Sequence, residues 1–204
     1  MGPNFSREKT LNCRVAGIDE VGRGPWAGPV VAAAVILDPK NIPLGLNDSK
    51  KLSPKRRDAL NEAIKSSSHW AIGIVDVGEI DEINILQASL LAMRRAVNDL
   101  SIKPEACLVD GNKDPNLGVS TDCIIKGDGK SLSIAAASII AKVFRDEYMT
   151  KLSHSYPAYG WEKNAGYGVP HHIEALRVVG ISSHHRKSFK PIAKILNEES
   201  GITY

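Results

Sequence analysis

The segment "IDEINILQASLLAMRRAVNDL" (80–100) carries apolar residues at helical spacing over about five turns. It lies between two short apolar runs, "HWAIGIVDV" (69–77) and "ACLVDG" (106–111). A long helix between two strands is the crossover that parallel strands require, so this unit commits the chain to an α/β architecture. "CRVAGID" (13–19) and "VVAAAVIL" (30–37) read as two neighbouring strands joined by a Gly/Pro loop, and "CIIKG" (123–127) as the last of five. A basic helix is expected over "LSPKRRDALNEAIKSS" (52–67), with Ser53 as N-cap and Pro54 at the first helical position. A long helix over 131–152 has the small residues that suit close packing on a sheet. Beyond Pro157 the chain is rich in Gly, His and Tyr, and two short helices (171–179 and 191–196) are expected to form a C-terminal flap over the sheet.

A chain of 204 residues suffices for one substantial core, so a single domain is expected, with a core over 1–155 and a C-terminal segment over 156–204. The opening "MGPNFSREKTLN" lacks the apolar core of a signal peptide, and no stretch approaches membrane-spanning length. Cys13, Cys107 and Cys123 are odd in number, have no C-x-x-C spacing and sit in or beside apolar runs. They read as small buried thiols in a reducing compartment. A soluble, cytoplasmic protein without a membrane partner is the expectation. The formal net charge is only +3, so a nucleic-acid partner would have to be recognised through local clusters of charge.

The acids are placed more tellingly than the net charge. Asp19 and Glu20 close the first strand, Asp110 closes the strand after the crossover, and Asp128 follows the fifth in "KGDGKS". Sites in open sheets form at the carboxyl ends of parallel strands, where acids from different strands converge. Converging carboxylates repel and raise one another's pKa unless cations neutralise them. Oxygen donors without His or Cys favour Mg²⁺ or Mn²⁺, and a pair of such ions serves phosphodiester cleavage. A single strand-end acid can equally be a turn residue, and Asp110 before Gly111 can simply begin a turn. The adjacent Asp19 and Glu20 are harder to explain that way, because alternation along a strand buries at least one of them.

"GRGPWAG" (22–28) is not a dinucleotide fingerprint, since Pro25, Pro29 and the apolar run behind them require a strand where that motif needs a helix. "GDGKS" is not a P-loop ending, because Ile124 stands where its first glycine belongs. What Gly22, Arg23 and Gly24 offer is bare backbone and one cation beside the acids.

Taken in order, "GIDEVGRGPWAGPVV", "LNDSKKLSPKRR", "VDG", "KGD", "SIAAASIIAKVFRD", "NAGYG" and "HHRKSF" resemble ribonuclease HII over nearly the whole chain. The resemblance implies an α/β, ribonuclease H-like fold: a five-stranded mixed sheet flanked by helices, with a C-terminal helical segment. It implies Asp19, Glu20, Asp110 and Asp128 as catalytic ligands of Mg²⁺ or Mn²⁺, two ions during catalysis. The substrates it implies are RNA/DNA hybrids and single ribonucleotides in duplex DNA, cut to leave 3′-hydroxyl and 5′-phosphate ends. It also implies that the backbone of Gly22, Arg23 and Gly24 reads a ribose 2′-hydroxyl with help from Tyr167. Val21, Trp26 and Val169 depart from the usual residues, and Val169 puts any hydroxyl contact from that position in doubt.

Lys50, Lys51, Lys55, Arg56 and Arg57 cluster in "DSKKLSPKRR", and Arg186, Lys187 and Lys190 in "HHRKSFK". Either these are solvated surface charges or, with Ser49, they contact phosphates. Ser49, Lys50, Lys51 and Arg186 are the substrate-binding candidates. His171, His172, His184 and His185 lack zinc-ligand spacing. Asp146, beside Arg145, reads as a structural ion pair. A monomer is expected. Ribonuclease HIII would carry a sizeable N-terminal domain, and only about a dozen residues precede the first strand here. A related metal nuclease would not need to read a 2′-hydroxyl. A non-catalytic binding module would not set four acids against a polyanion.

Overall fold

The computed structural model describes residues 2–199, so the outermost residues of the expected single domain lie outside it. The strands β1 (Val15–Val21), β2 (Val30–Leu37), β3 (Ser68–Val75), β4 (Ala106–Asp110) and β5 (Ser120–Ile124) form one sheet in the order β3-β2-β1-β4-β5. β1 runs antiparallel to β2 and β2 to β3, whereas β1, β4 and β5 are parallel. The sheet is mixed, and its parallel strands end together on one side.

The crossover helix α3 (Val77–Asn98) does connect strands of the same direction, but β2 and β1 separate β3 from β4. The antiparallel β1-β2-β3 meander, which precedes α3 in the chain, occupies that space. Asp76 ends β3 and caps α3, its side chain accepting from the Glu79 amide. Within α3, Asn84 leaves helical geometry at φ 65° and restarts the helix by accepting from the amides of Leu86 and Gln87.

Two cores cover the two faces. Ala16, Ile18, Ala32 and Ala34 pack with Ala88, Ala92 and Met93 of α3. Val31, Ala33 and Val35 pack with Ala135, Ala136 and Ile140 of α4 (Leu132–Ser155), joined by Leu60 and Ile64 of α2 (Pro54–Ser67). The first turn of α4 lies directly on β1: a Cβ on Gly17 would overlap the Ser133 backbone, so only glycine permits that approach. A buried glutamate on α1 (Ser6–Leu11) holds the same turn, since Glu8 accepts from the Ser131 hydroxyl (2.6 Å) and the Ser133 amide (3.0 Å).

The C-terminal elements are α5 (Trp161–Asn164), α6 (Pro170–Val179) and α7 (Lys190–Glu199). They build a third core of Tyr159, Trp161, Leu176 and Ile192 around Met149 of α4 and Ala27 of the glycine loop. No strand residue enters it. The expected flap therefore lies against the end of α4 and the loop after β1, not across the sheet. Of the cysteines, Cys107 is buried, Cys123 half-buried and Cys13 exposed, and all are free. The expectation of three buried thiols fails at Cys13, which precedes β1. Among the described residues no helix is long and apolar enough to cross a membrane.

Candidate active site

β1 runs two residues further than expected, to Val21, so Asp19 and Glu20 lie inside the strand, opposite Ala33 and Ala32 of β2. Alternation then sends their side chains to opposite faces of the sheet. Even-numbered Ala16 and Ile18 face α3, and Glu20 follows them; Gly17 faces α4, and Asp19 follows it. β4 ends at Asp110 beside Asp19, continuing a register that pairs Ile18 with Val109. β5 spans Ser120–Ile124, three residues earlier than read from "CIIKG". Lys126, at φ 56°, turns the chain there, and the Gly127 amide donates to Asp110 Oδ1. The turn carries Asp128 to the same end of the sheet.

All four acids meet electrostatically at Asp19. Its pKa is held well above the usual carboxylate range, first by burial and then by the charges of Glu20, Asp110 and Asp128. Burial also raises Glu20, although the Arg23 guanidinium, 3.2 Å from Glu20 Oε1, works in the opposite direction. Asp128 is raised by burial and then by Asp48 and Asp110. Asp48 was not singled out in the sequence, although its position before Ser49 marks it as a cap: its side chain accepts from the Lys50 amide at the start of a short 3₁₀ turn.

Among the described residues no three His, Cys, Asp or Glu side chains form a ready-made metal cage. The donor set nevertheless fits hard divalent cations. It consists of oxygen alone, and Glu20 Oε2 is buried without a hydrogen-bond partner. A cation beside it would supply that partner and relieve the repulsion that raises Asp19. Glu20, Arg23 and Asp110 border a cavity of about 200 Å³, floored by Leu86, Leu90 and Met93 of α3.

The glycine loop leaves β1 beside these acids. Gly22 is buried at φ 94°, and a Cβ there would overlap Arg145 Nε, so its missing side chain makes room for the interior. It was expected to leave open backbone beside the acids, and of the two glycines only Gly24 is exposed. Arg23 and Gly24 are exposed, and the one atom near a Cβ on Gly24 is Cε1 of Tyr167, at 3.3 Å. Tyr167 is 47% exposed. Its loop is pinned to the glycine loop by the Trp26 amide, which donates to the Gly166 carbonyl at 2.8 Å.

The sequence model for ribonuclease HII matches residues 16–192. This chain belongs to the ribonuclease HII family. A ribonuclease HII from Jannaschia sp. (strain CCS1) is 55% identical over 96% of this chain and 99% of its own length. One from Ruegeria sp. (strain TM1040) is 52% identical over 97% and 88%. The crystal structure of the ribonuclease H2 from Pyrococcus horikoshii OT3 superposes with a TM-score of 0.78 at 31% identity, covering 91% of this chain and 98% of that one. The fold is therefore ribonuclease H-like, and the chain is a ribonuclease H, an endonucleolytic hydrolase of a divalent-metal-dependent family.

In this chain the basic candidates divide. Lys50 and Lys51 are exposed next to the acids: Lys50 lowers the pKa of Asp128, and Lys51 Nζ is 3.9 Å from Asp48. Ser49 is buried, and its hydroxyl accepts from that of Ser138 at 2.7 Å. Arg186 is buried completely and, among the described residues, donates only to backbone carbonyls. Neither side chain lies on the surface expected of a phosphate contact, because each joins separate segments inside the protein. Arg57 is likewise engaged, with the Ser49 carbonyl at 2.7 Å. Asp146 is an ion-pair residue as expected, but its partner is Lys142, one helical turn away at 2.7 Å, while the adjacent Arg145 points inward.

The departures from the family pattern also have local consequences. Trp26 fits because Gly168 leaves room for its ring. Val169 is the N-cap of α6 and supplies no side-chain hydrogen bond, so the hydroxyl missing there is a missing cap. His172 and His185 form a buried pair, Nε2 to Nε2 at 3.0 Å. His172 Nδ1 faces the Tyr167 carbonyl at 2.9 Å, and His185 Nδ1 accepts from the Ser182 amide at 3.0 Å. These contacts assign the protons to His172 Nδ1 and His185 Nε2 and leave both rings neutral.

Proposed function

We propose that this chain hydrolyses the RNA strand of RNA/DNA hybrids and cuts 5′ of single ribonucleotides embedded in duplex DNA, leaving 3′-hydroxyl and 5′-phosphate ends. The observation that carries this reading is the adjacency of the acids at the end of β1 to the exposed backbone of Arg23 and Gly24, with Tyr167 beside it. Asp19, Glu20, Asp110 and Asp128 are the residues that would hold Mg²⁺ or Mn²⁺, two ions during catalysis. When bound, the ions activate the attacking water and stabilise the leaving oxygen.

The remaining work falls to the chain. Lys50 and Lys51 bind phosphates of the duplex without reading sequence. The ion pair with Glu20 holds Arg23 at the rim of the acids. The backbone at Gly24 meets the ribose, where no Cβ intervenes, and Tyr167 covers the neighbouring deoxyribose, whose lack of a 2′-hydroxyl leaves room for its ring. A monomer acting in the cytoplasm suits this reading.

The test compares cutting rates on an all-DNA duplex and on the same duplex with one ribonucleotide, in Mg²⁺, Mn²⁺ or excess chelator. Cleavage 5′ of the ribonucleotide, dependent on metal and absent from the all-DNA duplex, is expected. Equal rates on the two duplexes would overturn the reading.

A further inference from the structure

Arg186 is a buried cation with no ion pair among the described residues, and its guanidinium is devoted to one short stretch of main chain. Nη2 donates to the carbonyls of Gly22 (2.6 Å) and Gly28 (2.8 Å), Nη1 to that of Arg23 (3.1 Å), and Nε again to Gly28 (2.9 Å). Placing a guanidinium there removes it from water, a cost that these hydrogen bonds must offset. Burial lowers its pKa to about 9, so it remains charged at neutral pH. A polar interaction so costly to bury at the base of a recognition loop calls for a role beyond packing.

Peptide geometry supplies one. In a trans peptide the C=O and the following N–H point in opposite directions. No peptide in the described residues is cis. The Gly22 carbonyl shares its plane with the Arg23 amide, and the Arg23 carbonyl with the Gly24 amide. Drawing both carbonyls inward onto Arg186 therefore turns both amides outward. Arg23 and Gly24 are exposed, and neither amide donates to another group among the described residues. We infer that Arg186 is a positioning residue for substrate recognition: it sets the polarity of the glycine loop, presenting the amides of Arg23 and Gly24 as paired donors to an acceptor oxygen of the substrate strand.

The acceptor is a ribose 2′-oxygen or an adjoining phosphate oxygen, and the two share this chemistry. The inference rests on the proposed function in placing the loop against the nucleic acid. On either source, the carbonyls of Gly22 and Arg23 are already engaged, so the loop acts here chiefly as a donor.

Two measurements test it. In the wild-type protein, amide exchange by NMR should find the Arg23 and Gly24 amides unprotected in the free state. Both signals should shift on adding, with chelator, a duplex containing one ribonucleotide. A shift with that duplex alone identifies the 2′-oxygen, and an equal shift with all-DNA duplex identifies phosphate. Protected amides in the free protein, or no shift with either duplex, overturn the inference, whatever the cutting assay reports about substrate. The second measurement uses Arg186→Lys, which keeps the charge but not the fork. It should lose about tenfold or more in kcat on the single-ribonucleotide duplex. Its Mn²⁺ affinity, read by calorimetry, should stay at the wild-type value. Wild-type kcat, or a loss fully matched by weakened Mn²⁺ binding, overturns it. If Arg186→Lys does not fold, Arg186→Gln, which keeps two side-chain donors, takes its place in the same comparison of kcat and Mn²⁺ affinity.

Discussion

A Cβ on Gly24 would stand 3.3 Å from Cε1 of Tyr167, so the exposed backbone after β1 and the tyrosine of a distant loop form one surface. That spacing is tighter than ordinary van der Waals contact, and a methyl group at position 24 would displace the ring as well as fill the backbone's open face. Gly24→Ala should slow cleavage at a single ribonucleotide by roughly ten- to a hundredfold with little change in Tm. Tyr167→Ala should reduce junction cleavage far more than it reduces stability, since the ring is half exposed. Steady-state rates beside thermal melts check both, and wild-type rates in either variant would remove that residue from the recognition surface.

Asp19 is strained electrostatically in the metal-free protein, because burial and three neighbouring acids all oppose its charge. A carboxyl whose pKa is raised by folding destabilises the native state above its unfolded pKa, and neutralising it removes that cost. Asp19→Asn should therefore abolish nearly all turnover while raising Tm in chelator, by about 2–4 °C for each kcal/mol relieved. A lower Tm with activity retained would contradict both the electrostatics and the assigned role.

Lys50 and Lys51 are free to meet a duplex, and Arg186 is not. Replacing either lysine by Ala should weaken binding of every duplex sequence alike and make the dependence of log K on log salt shallower by about one. Binding isotherms at several salt concentrations decide this. Unchanged slopes in both variants would return these lysines to the role of solvated surface charges.

Protonation of the His172–His185 pair has a defined stability signature. Burial, then repulsion from His172 and His184 on protonation, lowers the His185 pKa to about 4 from 6.5, in surroundings that include Tyr159, Trp161 and Ser182. The unfolded chain thus binds more protons between those values. Stability from this ring is complete above pH 6.5 and falls as pH drops toward 4, by up to about 3 kcal/mol. Denaturant midpoints from pH 7.5 to 4.5 should trace that loss, and His185→Gln should flatten the slope. An identical slope in the variant would place the pH sensitivity elsewhere.

Val169 leaves the first turn of α6 without a side-chain acceptor. Val169→Thr should add about 1 kcal/mol of stability by capping it, measurable as a higher denaturant midpoint. No gain would mean that water or the preceding loop already satisfies those amides.

Local chemistry was enough for much of this protein. Apolar runs and helical spacing determined the five strands, the caps at Ser53 and the crossover helix, because burial and hydrogen bonding act on each segment directly. The clustering of Asp19, Glu20, Asp110 and Asp128 could be read because strand ends of parallel elements share one side of a sheet. Strand order could not, because a sheet neighbour is chosen by long-range packing: β1 and β2, not β3, stand between the ends of the α3 crossover. The same limit governed the cations. Lys50 and Arg186 carry equal charge in equally basic runs of sequence, and only the tertiary structure decided that one faces solvent while the other is enclosed by carbonyls from the glycine loop. Burial belongs to the assembled chain, since the carbonyls that satisfy the donors of Arg186 lie more than a hundred residues away.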